Sequence, residues 1–471
     1  MTEAKLKENF EGMIVYKKPS ADIFATLSIP AFIKDWFVKR YSDADGGYNV
    51  LFMQDRLAEI LPSKKDWVAL LDKIFHGGEV KFLAKLRIKA NIKAGVITFA
   101  LPDFGVDYED TVIPEAVWQK AGKDLLANGG DIWGVVELSY DQLKRKIVLN
   151  GFKDFKPYKV DLEYYKNARK AFEIQEWIDV LLGAMGYNVK GYDNETQKLA
   201  MLKRLMPFVE KRINLIELAP KGTGKSYVFS QISKRGWLNS GGIITRAKLF
   251  YDMSLNLEGL IPNYDYVALD EISTIRFSDA EELQGALKGY LESGTYTVGI
   301  KSGSGEAGFI LLGNIPVEKM DENVSMFDKL PYMFHDSALL DRFHGFIKGW
   351  EIPRMRESLK ADGWALNTEY FAEILHELRN DMTAGSIVSD LLEIPDGADT
   401  RDTAAVKRIA TALTKLLFPH WTKAEEADKE LFEKYCLAPA KEMRSIIKKQ
   451  LGILDAEFKG KPVPDFKLKE A

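Results

Sequence analysis

The sequence predicts an α/β core, a parallel sheet with flanking helices, between an N-terminal α+β domain and a C-terminal helical region. An apolar run at residues 213–218 leads through a glycine-rich turn into a helical pattern that begins at Lys225. A second apolar run, at residues 264–271, ends in two carboxylates, and residues 367–451 are predicted to be mostly helical. We expect an N-terminal domain at 1–158, a helical linker at 159–195, the core at 196–353, a helical lid at 354–458 and a tail at 459–471.

The composition is that of a globular protein and excludes several kinds of site. The formal net charge is -4, so any nucleic-acid contact needs a local concentration of Lys and Arg. The single cysteine, Cys436, excludes an internal disulfide and a multi-cysteine zinc site. No run approaches the roughly 20 apolar residues of a membrane helix, and residues 1–10 lack the apolar segment of a secretory signal. We therefore expect a cytoplasmic protein.

Residues 10–150 combine short apolar runs with Gly, Pro and Asp, which predicts an α+β or partly barrelled, OB-like domain. One predicted strand, residues 81–93, alternates apolar side chains with cations. In strand geometry the cations share one face, with no carboxylate among them. They are Lys81, Lys85, Arg87, Lys89 and Lys93. This face is either an ordinary solvated surface or the electrostatic footprint of a DNA-binding surface.

The glycine-rich turn has the form of a phosphate-binding loop. Between the predicted strand and helix the chain reads Ala219, Pro220, Lys221, Gly222, Thr223, Gly224, Lys225 and Ser226. Backbone N–H groups at Gly222 and Gly224 would surround the phosphates of ATP, Lys225 would reach the β- and γ-phosphates, and the Ser226 hydroxyl would bind Mg²⁺. Ala219 replaces the first glycine of the usual pattern, a mild departure because that position mainly turns the chain. The alternative is a plain strand-to-helix turn.

Three further polar positions follow in the order expected for ATP hydrolysis. Asp270 at the end of its strand would hold the Mg²⁺ shell, and Glu271 would polarise the attacking water. We expect a strand at 295–300, a turn at 302–305 and a buried strand at 309–313, which Asn314 ends. Arg342 follows on a short predicted helix.

Taken in this order, the phosphate loop, the paired acids, Asn314 and Arg342 resemble the AAA+ ATPase family of P-loop proteins. The resemblance implies that Asn314 aligns the water with the γ-phosphate. It implies that Arg342 is a finger that reaches the γ-phosphate of a neighbouring subunit. It also implies an arginine of the lid that senses nucleotide, for which Arg401 is the candidate and Arg408 the rival.

Longer strings resemble the BrxL family, Lon-like AAA+ proteins of BREX bacteriophage-defence systems. They are R-K-A-F-E-I-Q-E-W-I-D-V-L-L at 169–182, R-L-M-P-F-V-E-K-R-I-N-L-I-E-L-A-P-K-G-T-G-K-S at 204–226, S-G-G at 240–242, L-L-D-R-F-H-G-F-I-K-G-W-E-I-P at 339–353 and R-D-T-A-A-V-K-R at 401–408. The resemblance implies Mg²⁺-dependent ATP hydrolysis by a homohexamer or a stacked dodecamer, with other defence-system proteins as further partners. Longer members continue into a Lon-like protease domain. Because the tail after residue 458 is short and no Ser/Lys dyad is evident, we expect no peptidase activity.

Residues 295–308 resemble the hairpin that replicative MCM helicases insert before the sensor strand, which points toward DNA in the ring channel. Lys301 lies near its predicted tip. We therefore expect a DNA-engaging motor. Two alternatives stay open: a remodeller that threads polypeptide past Tyr296, and a nucleotide-switched scaffold for other defence proteins. A tip that reads K-S-G-S-G, without the aromatic residue usual in polypeptide-threading loops, favours DNA.

Overall fold

The computed structural model describes residues 2–18, 24, 29–91, 95–126, 131–254 and 257–469, so Lys93 of the predicted DNA contacts lies outside it. The chain divides into two units. The larger contains residues 1–20, 30–36 and 160–471, and the smaller contains residues 21–29 and 37–159. The boundary expected after residue 158 lies one residue from the observed one. The start of the chain, however, belongs to the larger unit and not to the expected domain 1–158.

Long-range pairing explains why the start of the chain joins the larger unit. Strand Ile14–Lys17 pairs antiparallel with strand Gly363–Leu366. Phe10 is completely buried, and its ring contacts four aromatic side chains of the helical segment that follows residue 160. These are Tyr164, Tyr165, Phe172 and Trp177. Neither contact can be read from the local sequence pattern.

The smaller unit contains a five-stranded sheet. In spatial order its strands are Val96–Ala100, Val80–Asn91, Ile132–Asp141, Lys146–Asp154 and Thr111–Val112. All neighbours are antiparallel except the last two, which are parallel. A bridge between Ile97 and Ile113 connects the first strand to the residue that follows the last, so the sheet is partly closed into a barrel. Its helices are Val50–Ile60, Trp67–Phe75 and Glu115–Leu126. The apolar face predicted for the Val80–Asn91 strand is buried at Phe82, Ala84 and Leu86.

The larger unit is built on five parallel strands, as the sequence predicts for the core. They are β1 (Leu215–Ala219), β2 (Gly236–Ser240), β3 (Tyr266–Asp270), β4 (Gly308–Asn314) and β5 (Gly345–Lys348), in the spatial order β5-β1-β4-β3-β2. All residues of β1 and β3 are buried, as expected for central strands covered on both faces. We call the end of the sheet where these strands finish the carboxyl edge, and the end where they begin the amino edge.

Helices surround this sheet. They are Thr2–Asn9, Leu162–Arg169, Ile174–Ala184, Glu195–Leu202, Met206–Val209, Lys225–Gln231, Arg246–Leu249, Leu260–Asn263, Ala280–Ser293, Ser337–Leu340, Thr368–Asn380, Thr383–Leu391, Thr400–Leu417, Lys429–Phe432 and Ala438–Leu454. One more helix, Ala31–Tyr41, begins in the larger unit and ends in the smaller. The helices Thr400–Leu417 and Ala438–Leu454 pack on β5, because a Cβ on Gly345 would lie 2.9 Å from Ile409 and 3.0 Å from Met443. In the part of the chain that the structure describes, no helix is both long and apolar enough to cross a bilayer.

Four short strand pairs complete the larger unit. They are Tyr251–Asp252 with Leu257–Glu258, Ile243–Ile244 with Arg276–Phe277, Thr295–Val298 with Lys301–Ser304, and Leu392–Glu393 with Lys467–Leu468. The third pair is the predicted hairpin, but its turn lies earlier than the expected 302–305. Val298 pairs with Lys301, so Gly299 and Ile300 form the tip. Gly299 has φ +59, a left-handed conformation that glycine adopts readily. The tip is therefore Gly-Ile and not K-S-G-S-G, and Ile300 is 90% exposed.

Candidate active site

The carboxyl edge brings four of the predicted ATP-site residues together. β1 ends at Ala219, directly opposite Asn314 at the end of β4, and β3 ends at Asp270. Lys225 Nζ donates to Asn314 Oδ1 at 3.1 Å and to the Pro220 carbonyl at 3.4 Å. The Ser226 hydroxyl donates to the carboxylate of Asp270. Because parallel strands finish at one edge, side chains that are distant in sequence meet there.

The phosphate loop has the backbone that its glycines predict. Gly222 and Gly224 have φ of +81 and +77, in the left-handed region, and helix Lys225–Gln231 begins directly afterwards. Ala219, which stands where the first glycine is usual, faces Gly349. A Cβ on Gly349, the first residue after β5, would lie 2.3 Å from the Cβ of Ala219, so there is room for one methyl group here and not two. The departure from the usual pattern is thus compensated across the sheet.

Glu271 has an unusual backbone conformation. Its φ of 52 and ψ of 43 place a non-glycine residue in the left-handed region, which costs about 1 to 2 kcal/mol and recurs at functional sites. Its N–H donates to Asp270 Oδ1 at 2.8 Å, and the residue is exposed. The chain therefore turns sharply after Asp270, and Glu271 lies at the carboxyl edge, where the sequence predicts a catalytic base.

A buried ion pair that the sequence analysis missed supports the loop. Glu217 lies in the middle of β1, and both it and Arg204 are fully buried. The Arg204 guanidinium donates to the two Glu217 carboxylate oxygens at 2.6 and 3.0 Å, and to the Thr223 carbonyl at 2.7 Å. It ties β1 to the phosphate loop. A charged residue inside an apolar strand requires a buried partner, and this signal in L-I-E-L-A predicts a cation nearby.

Two further residues back the loop. Met355 N–H donates to the Gly222 carbonyl at 2.7 Å. The hydroxyl of the buried Tyr187 would lie 2.8 Å from a Cβ on Gly224, so the loop passes too close for any side chain at that position. Burial of the Lys225 ammonium in this setting lowers its pKa from the usual value. The bound phosphates of a nucleotide would favour its charged form.

The predicted metal ligands form a pair and not a closed metal site. Among the described residues no group of three or more His, Cys, Asp or Glu side chains could hold a metal ion. Mg²⁺ in nucleotide sites takes only one or two protein ligands and completes its shell with phosphates and water. Ser226 and Asp270, which touch each other, fit that requirement.

The amino edge holds the two arginines that were predicted to act on ATP, Arg342 and Arg401. Arg342 lies three residues before β5, and its Nε is 2.9 Å from Glu292 Oε2. Arg401 Nη2 is 3.1 Å from the same oxygen, and Arg401 Nη1 is 3.0 Å from Asp341 Oδ2. We call Glu292, Asp341, Arg342 and Arg401 the arginine cluster. Buried Arg444 anchors it through Asp341 at 2.6 Å.

The sequence analysis expected Arg401 to reach the nucleotide as an arginine of the lid. The structure instead places Arg401 away from the phosphate loop of its own chain. Arg408 donates to the carbonyls of Lys211 and Arg212, both at 2.9 Å, just before β1. It too lies at the amino edge. A strand of five residues such as β1 separates the two edges by roughly 13 to 16 Å. Two of the helices expected to cover the nucleotide, Thr400–Leu417 and Ala438–Leu454, pack on β5, and the first of them carries Arg401 and Arg408 at the amino edge.

The predicted DNA-binding strand carries less uncompensated charge than its own sequence indicates. Lys81 pairs with Glu137, and Arg87 pairs with Asp131. Lys85 Nζ is 3.3 Å from Asp103 and 3.6 Å from Asp131. The carboxylates come from elements outside the strand, so the local sequence could not reveal them. Lys89 Nζ lies 5.5 Å from the ring centroid of Tyr108.

The turn at 142–145, between two strands of the smaller unit, carries cations that are less compensated than those of the predicted DNA-binding strand. Lys144, Arg145 and Lys146 are consecutive, and in the described part of the chain none of the three forms an ion pair. Beside them Leu143 is 97% exposed. The sequence analysis missed this turn because its charges are few and lie outside any periodic pattern.

Two family models match the chain. One, described as Lon-like protease BrxL-like, ATPase domain, matches residues 147–463, and one described as BREX system Lon protease-like protein BrxL N-terminal matches residues 8–140. The Lon-like protease BrxL of Escherichia coli O9:H4 (strain HS) is 31% identical over 461 residues, which cover 95% of this chain and 64% of that protein. The protein of the same name from Bacillus cereus (strain H3081.97) is 30% identical over 457 residues, 94% of this chain and 66% of its own. The chain thus spans a little under two thirds of these relatives.

Proposed function

The chain belongs to the BrxL family, which carries an ATPase domain, and from this premise we propose that it is an ATP-hydrolysing ring motor of a BREX-type defence system that engages DNA. The observation that carries the proposal is the meeting of Lys225, Ser226, Asp270 and Asn314 at the carboxyl edge. The arginine cluster at the amino edge supports the ring.

Lys225 and Asn314 would act on the phosphates. In the structure the Lys225 ammonium is held by the Asn314 amide oxygen and the Pro220 carbonyl. The β- and γ-phosphates of ATP are stronger partners for an ammonium, because their hydrogen bonds are charge-assisted. We expect Lys225 to exchange onto them, which leaves the Asn314 amide to orient the attacking water.

Asp270 and Glu271 would divide the remaining work. Ser226 and Asp270 are the residues that would hold Mg²⁺, which neutralises charge on the phosphates when bound. Glu271 would take the proton from the attacking water. Its left-handed backbone separates it from Asp270 by a sharp turn, so two adjacent carboxylates serve different partners.

The arginine cluster would complete a neighbour's site. Arg342 and Arg401 lie at the far end of the sheet from their own phosphate loop. A guanidinium there can stabilise γ-phosphate charge only if another subunit presents its carboxyl edge. We therefore assign both arginines, and not Arg342 alone, to the adjacent subunit's nucleotide. A closed ring, a homohexamer or two stacked hexamers, satisfies every such interface.

DNA would contact the 295–304 hairpin and the smaller unit. The smaller unit has a partly closed five-stranded sheet. Counted along the chain, its helix Glu115–Leu126 lies between the third strand, Thr111–Val112, and the fourth, Ile132–Asp141. OB-folds have this organisation and bind oligonucleotides through the loop between their fourth and fifth strands. Here that loop is 142–145, with Lys144, Arg145 and Lys146 available for phosphates. We expect it to contribute more than Lys81, Lys85, Arg87 and Lys89, whose charges are partly compensated. Lys301, at the start of the return strand, remains the proposed contact of the hairpin.

One observation favours a second function. Ile300 at the hairpin tip is 90% exposed and apolar, whereas the sequence analysis expected a polar tip. An apolar tip suits a loop that grips polypeptide as well as one that touches bases. Protein remodelling is therefore the alternative, and the scaffold is the outcome if no polymer is engaged.

The deciding experiment measures phosphate release from ATP with no addition, with duplex or single-stranded DNA, and with unfolded casein. We expect DNA to raise the rate and casein to leave it unchanged. Stimulation by casein alone would favour the remodeller. Hydrolysis that no polymer changes would favour the scaffold.

A salt series of fluorescence anisotropy tests where DNA binds. Each phosphate contact contributes about 0.9 to the slope of log affinity against log salt. Replacing Lys144, Arg145 and Lys146 with Gln should flatten the slope by up to about 2.7. The matched variant Lys85→Gln/Arg87→Gln/Lys89→Gln removes the same number of charges and should flatten it by less than about 0.9. The reverse ranking would assign binding to the strand face.

A further inference from the structure

One carboxylate holds both arginines of the arginine cluster. Arg342 Nε and Arg401 Nη2 approach the same Glu292 oxygen, at 2.9 and 3.1 Å. The side chains of Glu292, Arg401 and Arg342 are 47%, 34% and 15% exposed. Ion pairs of an exposed carboxylate are weak because water competes for it, and this applies most to the pair with Arg401. Another anion can therefore compete with Glu292 for the two arginines.

Glu292 also lies where a helix meets the hairpin. It belongs to the last turn of helix Ala280–Ser293, and the first hairpin strand begins at Thr295. Gly294, with φ +80, ends the helix between them. Gly305 N–H donates to the Gly294 carbonyl at 2.9 Å and closes the hairpin base. A displacement of that base must move the Glu292 carboxylate, which is two residues away.

The other side of the hairpin base rests on the chain that enters β1. Arg212 N–H donates to the Glu306 carbonyl at 2.9 Å. A Cβ on Gly294 would lie 2.5 Å from Arg212 Nη1, so the two segments are in close contact. The base is therefore supported by the sheet that bears the phosphate loop. Glu292 is the point at which hairpin movement reaches the arginines.

We propose that Glu292 is a positioning residue that couples the hairpin to the arginine cluster. With no DNA it retains Arg342 and, together with Asp341, Arg401 on their own subunit, and movement of the hairpin frees both arginines from Glu292 toward the neighbour's ATP. This inference rests on the proposed function, because released arginines need a γ-phosphate to act on. A triphosphate offers more charge and more acceptor oxygens than one carboxylate, so it competes well once Glu292 moves.

Glu292→Gln keeps the shape of the side chain and removes its charge. We expect kcat without DNA to rise roughly threefold to tenfold, about the strength of two partly exposed ion pairs, while KM for ATP stays within about twofold. Stimulation by DNA should fall toward none, because the arginines are already released. Glu292→Asp keeps the charge and should restore much of the dependence on DNA, which a merely structural role does not predict.

Glu282→Gln is the matched control, since Glu282 lies on the same helix and pairs with Arg246 at 2.7 Å, outside the cluster. It should behave as the parent. Unchanged or lower kcat in folded Glu292→Gln overturns the proposal. So does a rise that persists when Arg342→Ala is added. If DNA does not stimulate the parent, the motor function fails, but the change in kcat without DNA still decides whether Glu292 restrains the arginines.

Discussion

The two edges of the core sheet differ in how complete they are. At the carboxyl edge, Lys225 contacts Asn314 and Ser226 contacts Asp270, so a nucleotide would meet a preformed set of groups. At the amino edge, Arg342 and Arg401 share one partly exposed carboxylate. The difference fits our proposal that one chain carries two halves of a nucleotide site, which would meet when subunits lie side by side.

The largest expected effect comes from removing the amino-edge half. Arg342→Ala should lower kcat by about 10³-fold or more, because an arginine finger stabilises the charge that develops on the γ-phosphate in the transition state. Lys225→Ala removes a residue of the carboxyl-edge half and should be inactive because it no longer binds ATP. Mixing the two variants should restore part of the activity, because some interfaces in mixed rings have both halves intact. Phosphate release across a mixing series measures this.

The control for that experiment is Arg56→Ala, which removes an exposed arginine paired with Glu59 in the smaller unit. It should leave hydrolysis unchanged. A parent protein that is fully active as a monomer at high dilution would contradict the two-halves interpretation.

The next effect separates binding from hydrolysis within the carboxyl edge. Glu271→Gln should lower kcat by about 10² to 10⁴-fold while ATP still binds, because only proton transfer from water is lost. A fluorescent ATP analogue in anisotropy measures binding, and phosphate release measures turnover. Glu109→Gln, an exposed glutamate of the smaller unit, is the control. Equal turnover by Glu271→Gln and the parent would remove Glu271 from its assigned role.

The buried pair beneath the loop gives an effect on stability. Arg204→Met should lower the free energy of unfolding by about 3 to 5 kcal/mol, because Glu217 is left buried without a cation. Adding Glu217→Leu should recover most of that loss, yet ATP should still bind weakly, since Thr223 is no longer tied to β1. Denaturant unfolding and KM for ATP test the two parts.

Lys360→Met removes the exposed partner of Glu357 and is the control, with an expected loss below about 1 kcal/mol. If Arg204→Met cost no more than this exposed pair, the carboxyl edge would not depend on its buried support.

The smallest effect concerns Ala219. Ala219→Gly restores the usual loop pattern and should change stability by less than about 1 kcal/mol and turnover by less than about twofold, because only one methyl group is removed. Gly349→Ala should be much more damaging, since its Cβ would lie 2.3 Å from that methyl. Comparing the ATP turnover of the two variants tests whether the space between residues 219 and 349 accommodates only one methyl group.

The residues that meet at the carboxyl edge are marked by local patterns in the sequence, for a physical reason. A strand that ends at a glycine-rich turn, an acid pair after an apolar run and Asn314 after a buried strand are all signals within a few residues. Because parallel strands finish together, correct strand ends suffice to place these groups side by side.

What the sequence could not predict depends on distant pairing. The partners of Lys85 and Arg87 come from residues 103 and 131, and Arg401 meets Glu292 across 109 positions. The hairpin turn was misplaced because two glycine-containing stretches compete within 299–305, and only cross-strand pairing selects Gly299. Glu217 could have been questioned, since a carboxylate in a buried strand needs a cation, but its partner is a matter of three-dimensional contact.

The strand near the start of the chain matters for anyone who wishes to isolate the ATPase body. A fragment beginning at residue 160 would discard strand Ile14–Lys17, uncover the backbone of strand Gly363–Leu366, and empty the aromatic pocket that Phe10 fills. Exposed strand edges and apolar pockets invite aggregation. A flexible linker in place of residues 42–159 would retain both features and leave helix Ala31–Tyr41 whole, so excision from the middle suits this topology better than truncation from the front.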